Sequence, residues 1–144
     1  KEYARHAKKI KKRMTEKHDI LSLDDVKQLV DTFYTRVRAD ELLGPVFEER
    51  IQDRWARHLD IMYRFWQTVL LGELTYQGSP GSKHIALPVD ASHFERWLEI
   101  FYQTIDELFT GEKAAEAKWR AERMAEMFHS KIEYYKQNKN RTIL

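Results

Sequence analysis

The chain contains no cysteine, which excludes disulfides, zinc ribbons, cysteine nucleophiles and thiolate ligation of a metal. Any metal must be held by His, carboxylate, Tyr or Met. No apolar run approaches the ~20 residues that a membrane span needs, and no apolar signal stretch follows the basic residues at the start. The expectation is a soluble, cytoplasmic protein. Glycine and proline are scarce, five and three in 144 residues. They fall in a few places: Gly44-Pro45, the stretch from Gly72 to Gly81, Pro88 and Gly111. Nothing shows the alternation and turn spacing of a sheet, so the fold class is all-α.

Negative charge is scarce at the amino-terminal end. The net charge of +2 conceals an uneven distribution, with eight Lys and Arg against two Glu in residues 1–18 and 17 basic against 21 acidic residues in the rest. Residues 1–20 therefore read as a basic extension and residues 21–144 as one domain, whose 42% hydrophobic and 12% aromatic content suffices for a core. Tyr3, Ala7, Ile10 and Met14 recur at helical spacing in the extension. Such an arm is most often a solvated one, and the alternatives are a helix packed on the domain, on acidic lipid or on nucleic acid. No nucleic-acid partner is expected.

Ser22 and Asp25 form a capping pattern that opens a helix with Val26, Leu29, Val30, Phe33 and Val37 on one face. Tyr34 lies at the border of that stripe, so its hydroxyl reaches inward and needs a partner there. Gly44-Pro45 is expected to break the chain, leaving only a short helix at Asp40 to Leu43, with Phe47 just past the turn as a cofactor-stacking residue or a core plug. Trp55 to Leu71 forms a heavily buried helix, from which His58 projects beside Met62. Ser92 with Glu95 reads as a second capping box before a helix carrying Phe94, Trp97, Leu98, Phe101 and Ile105 that stops at Gly111. A last helix covers about Glu112 to Lys136, with alanines where another helix can approach closely.

Between these helices sits Lys83-His84-Ile85-Ala86-Leu87-Pro88, an apolar turn that Pro88 keeps short. Taken alone, a histidine here is more often a hydrogen-bonded core residue than a ligand. His58 and His84 together, inward on separate elements, are what a pocket with a ligand-bearing floor and a polar ceiling requires. Four substantial helices, a broken stretch near Gly44 and a nearly helix-free connection before a buried His make a globin-like layout. A di-iron bundle needs paired Glu-x-x-His motifs, and Glu126 to His129 is a single one.

Phe33-Tyr34 with Val37 and Asp40, Leu43-Gly44-Pro45 with Phe47, His58 through Phe65-Trp66, Leu71-Gly72-Glu73, Tyr76-x-Gly78-x-Pro80, His84-x-x-Leu87-Pro88, and Trp97-Leu98 with Phe101 resemble, in this order, the group III truncated hemoglobins. The resemblance covers roughly residues 22–135. It implies a truncated two-over-two helical sandwich around a b-type haem. In that arrangement His84 is the proximal iron ligand, and Phe47, Trp66 and Phe94 contact the cofactor. Tyr34, His58, Met62 and Trp97 line the distal side, where a diatomic ligand binds a penta-coordinate iron.

Two functions follow. One is binding or transport of dioxygen, nitric oxide or carbon monoxide by a monomer; the other is an enzyme, a nitric oxide dioxygenase or a peroxidase-like catalyst. The second needs an external reductase, since the chain has no dinucleotide fingerprint. On the resemblance, His84→Ala is expected to lose haem or bind it weakly while His93→Ala and His129→Ala retain it. Soret absorbance after reconstitution reads the difference, and normal haem content in the His84 variant would end the ligand assignment.

Overall fold

The structure is a computed structural model that describes residues 2–6, 8, 16–78 and 87–138. Helices α1 Leu23–Ala39, α2 Gly44–Ile51, α3 Trp55–Leu71, α4 Ala91–Leu108 and α5 Glu112–Asn138 follow one another along the chain. Residues 2–6 are also helical, and Tyr3 is exposed. Ala7, Ile10 and Met14, the other members of the amphipathic reading of the arm, lie outside the described residues, as does His84. Among the described residues there is no strand, only an isolated bridge between His18 and Phe109. Helix α1 packs on α2, α3 and α4, and α5 packs on α4 and α3. Two helix pairs, α1 with α3 and α4 with α5, are thereby brought together, as the expected two-over-two sandwich requires.

The capping expectation for α1 holds: Asp25 N–H donates to Ser22 Oγ at 3.2 Å, and the Asp25 carboxylate accepts from the Ser22 and Leu21 N–H groups. Two other expectations need correction. Gly44-Pro45 does not end structure but begins it, because proline in the first helical turn gives up an N–H that would have no intrahelical partner anyway. Residues 41–43 form the turn, not a short helix. For α4 the cap is Asp90, not Ser92. The Asp90 carboxylate accepts from Ser92 N–H at 2.9 Å, and the ring of His93, three residues into the box, reaches back to the Asp90 N–H at 3.2 Å. A histidine nitrogen here does the work expected of Glu95.

The centre of the core is aromatic. Phe101, 1% exposed, stacks on Trp66 of α3 at 5.3 Å and on Trp97 of its own helix at 5.7 Å, and meets the ring of Phe33 from α1 nearly edge-on at 5.2 Å. Rings in these offset and T-shaped contacts add to the apolar area they bury. Along α5, Ala114, Ala117, Ala121 and Ala125 are buried, which lets α4 approach closely.

The end of the basic extension is part of this packing. Ile20 is fully buried, and the Asp19 carboxylate accepts from Lys113 and Ala114 N–H, each at 2.9 Å, capping α5 from 94 residues away. Gly111 is required there. Its φ of +132° disfavours a side chain, and a Cβ would lie 2.5 Å from Asp19 Cγ. Lys17 Nζ reaches the Asp106 carbonyl at 2.6 Å, so packed structure begins before residue 21.

Deleting residues 1–16 is therefore expected to leave the melting temperature nearly unchanged. Asp19→Ala in the full chain should cost about 1–2 kcal/mol, the scale of a lost helix cap. Thermal melts of the two variants separate the arm from its packed root, and a large loss on the deletion would show that the arm itself packs on the domain.

Candidate functional site

Helix α1 buries Val26, Leu29, Val30, Phe33 and Val37 along one stripe, and Tyr34, 5% exposed, joins them at its edge. Three side chains from two elements converge on the Tyr34 ring: Phe47 of α2 at 6.2 Å, Trp55 of α3 at 5.9 Å and His58 of α3 at 5.0 Å with the rings at 88°. The sequence does not put these residues near one another; two tight corners do. At the first, the Asp40 carboxylate accepts from Leu42 and Leu43 N–H, and Gly44 lies so close to α1 that a Cβ would sit 2.6 Å from the Arg38 carbonyl oxygen. This places Phe47 one turn into α2, half-buried. At the second, Gln52, with φ +56°, ends α2, and Trp55 begins α3. His58 then follows Trp55 by one helical turn, its ring 5.8 Å from the indole and its Nε2 shut off from solvent.

Among the described residues, nothing hydrogen-bonds the Tyr34 hydroxyl, and burial raises its pKa well above the ordinary tyrosine range. It stays protonated at every working pH. Although the residue as a whole is 5% exposed, its hydroxyl is not one of the fully enclosed atoms, so it is open to a partner from outside these residues.

Trp97 reaches the same neighbourhood from α4. It is half-buried, edge-on to Phe33 at 5.4 Å, while Phe33 itself touches Tyr34 at 5.0 Å. Met62, one turn beyond His58, is half-buried against the core. The remaining sequence candidates lie elsewhere. Trp66 is 2% exposed and belongs to the core behind Phe101. Phe94 stacks on His129 of α5 at 5.2 Å. His129 pairs with Glu133 at 3.7 Å, and Glu126 with Arg123. His84 falls outside the described residues, but both flanks are tied down. Thr68 Oγ1 donates to the Glu73 carbonyl and accepts from Thr75 and Tyr76 N–H, and Lys136 Nζ holds the Val89 carbonyl at 2.6 Å.

Trp55, which touches both Tyr34 and His58, is the residue that sequence reasoning passed over, although its i, i+3 spacing to His58 was a usable signal. Phe47, Met62 and Trp97 keep part of their surface outside the core while packing against it. With one acceptor-seeking hydroxyl among them, these residues fit a flat apolar cofactor that carries a small polar ligand, as haem does.

Residues 18–132 match the sequence model of the family described as bacterial-like globin. A curated relative, the group 3 truncated hemoglobin ctb of Campylobacter jejuni, is 31% identical over 123 residues, which cover 83% of this chain and 97% of the relative. The crystal structure of the group III truncated hemoglobin from Campylobacter jejuni aligns with a TM-score of 0.73 at 30% identity, covering 81% of this chain and 95% of that one. The X-ray structure of the truncated oxygen-avid haemoglobin from Bacillus subtilis aligns with a TM-score of 0.64 over 75% of this chain and 93% of that one, at 23% identity. This last likeness is one of fold alone.

The corner that delivers Phe47 is also tied to the helix of Trp97, because Arg96 Nε donates to Asp40 Oδ1 at 2.7 Å. Burial alone would raise the Asp40 carboxyl, but Arg96 and the Leu43 and Leu42 N–H groups outweigh it and hold it below its ordinary value. A carboxyl whose pKa is lower folded than unfolded stabilises the fold above the unfolded value, about 4. That contribution disappears as pH falls through the folded value. Asp40→Asn should lower stability at neutral pH and flatten the decline in melting temperature below about pH 4. Unchanged acid sensitivity in this variant would show that the corner does not depend on the charge.

Proposed function

Because this chain belongs to the bacterial-like globin family and, within it, to the group III truncated hemoglobins, we propose that it binds dioxygen or another diatomic ligand at a penta-coordinate b-type haem. On this reading His84 is the proximal ligand, Phe47, Trp66 and Phe94 hold the porphyrin, and Tyr34, His58, Met62 and Trp97 form the ceiling over the gas. Haem supplies the iron that takes up the ligand. The chain supplies an imidazole below, apolar walls that exclude water, and donors above. The observation that carries the proposal is the buried Tyr34 ring at the centre of a ring cluster, with a protonated hydroxyl that meets no acceptor among the described residues.

A buried donor of this kind discriminates between gases. Dioxygen becomes polar when it binds and accepts a hydrogen bond; carbon monoxide polarises less and gains less. An acceptor that meets the hydroxyl in a dry pocket would gain the worth of a hydrogen bond, ~1 kcal/mol or more. The Trp97 indole can add a second donor from α4. Two donors slow oxygen release, which suits oxygen or nitric oxide chemistry better than rapid delivery.

A Soret band in the purified protein tests the cofactor, and Tyr34→Phe tests the ceiling. This substitution keeps the ring and removes the donor, so dioxygen dissociation should accelerate about tenfold if the bond is worth ~1.4 kcal/mol, with carbon monoxide dissociation much less affected. A larger oxygen effect in His58→Leu would make His58 the main donor. Oxygen release unchanged in Tyr34→Phe, His58→Leu and Trp97→Phe alike would remove the polar ceiling from the function.

A further inference from the structure

Behind the Tyr34–His58 pair lies a second group of side chains that no part of the ligand-binding reading uses. The Glu48 carboxylate of α2 holds two partners at once. Its Oε1 accepts from Arg38 Nε of α1 at 2.6 Å, and its Oε2 accepts from the Trp55 indole N–H of α3 at 3.3 Å. The Arg38 guanidinium in turn lies over the Trp55 ring, 4.3 Å from its centroid. Carboxylate, cation and indole thus close a ring of three contacts that joins α1, α2 and α3. The Trp55 ring, 8% exposed, presses its other contacts onto Tyr34 and His58.

We propose that Glu48 is a positioning residue of the ceiling: by holding Arg38 and the Trp55 N–H together it fixes the Trp55 ring against Tyr34 and His58, and so sets where the His58 ring stands relative to the ligand. The proposal rests on the ligand-binding reading above and adds to it the residues that set the ceiling's geometry. The physical reason is one of coupled restraints. His58 begins the second turn of α3, and the indole one turn earlier supports its ring at 5.8 Å while the Tyr34 ring meets it at 5.0 Å. Trp55 can shift only if it gives up the carboxylate and the guanidinium together. About half of the Arg38 and Glu48 side chains is open to solvent, so their ion pair by itself adds little to stability. Its effect falls on orientation.

The test uses Glu48→Ala and Trp55→Phe, alone and combined, in the haem-loaded protein. Three quantities are read: exchange of the Trp55 indole N–H by NMR in the protein with Trp55 intact, the C–O stretching bands of the carbon monoxide form, and gas dissociation rates. In Glu48→Ala the indole N–H should exchange at least about tenfold faster. A second C–O band, from protein with the His58 ring displaced, should grow beside the first. Dioxygen dissociation should rise about fivefold, which converts to ~1 kcal/mol, and carbon monoxide dissociation should stay within about twofold.

Trp55→Phe, which keeps a ring and loses the N–H, should show the same new band. The double variant should add nothing to either, since both changes cut one linkage. A merely structural role for Glu48 would shift the melting temperature and leave the bands alone. An unchanged band pattern in Glu48→Ala, with a normal Soret band, overturns this inference and leaves the proposed function standing. Additive effects in the double variant also overturn it. A protein that takes up no haem overturns the proposed function and this inference with it.

Discussion

The stacking of Phe101 on both Trp66 and Trp97, with Phe33 edge-on to it, ties three helices together at one point. Each ring belongs to an element that also carries a ceiling residue: Phe33 precedes Tyr34 on α1, Trp66 follows His58 and Met62 on α3, and Trp97 lies one turn before Phe101 on α4. Aromatic contacts have preferred offsets and angles, and a close-packed interior transmits a displacement instead of absorbing it. The stack therefore fixes how α1, α3 and α4, and with them the proposed ceiling residues, are placed against one another.

What the stack does not set is the approach of α2, and there the backbone decides. Gly44 lies where any Cβ would meet the Arg38 carbonyl, and Asp40 closes the preceding turn while gripping Arg96 of α4. The short helix is thus fastened to two long ones at its first residue. Phe47 and Glu48, adjacent on α2, turn to different neighbours: one ring meets Tyr34, and one carboxylate meets Arg38 and Trp55. A single misplacement at Gly44 would disturb both.

Much of this was legible from residue order. Periodicity located α1, α3, α4 and α5 and their buried faces, because a stripe at helical spacing has few other physical explanations. The place of Tyr34 at the edge of its stripe was readable for the same reason. What stayed hidden depended on contacts distant in sequence or on competing local chemistry. Asp19 capping α5 joins residues 94 apart, so the end of the basic segment looked like solvated arm. Gly44-Pro45 read as a breaker because the pair has two uses, and only the crowding against Arg38 shows which applies. At α4, two capping candidates lay within three residues, and the histidine at 93 decided for Asp90. The Glu48 linkage gives no periodic signal; it depends on three helices meeting.

The site also divides its tasks between two kinds of structure. Donors for a ligand stand on helices whose buried faces are continuous: Val30 and Val37, which flank Tyr34 on α1, are 1% and 0% exposed. The segment proposed to hold the cofactor from below enters and leaves through polar anchors instead, Thr68 binding three backbone groups before it and Lys136 binding the Val89 carbonyl after it. Such hydrogen bonds can be exchanged for water at modest net cost, whereas the aromatic stack cannot be opened without exposing several large rings. On the proposed reading, haem would seat against the polar-anchored segment while the aromatic stack keeps the proposed donor residues in place.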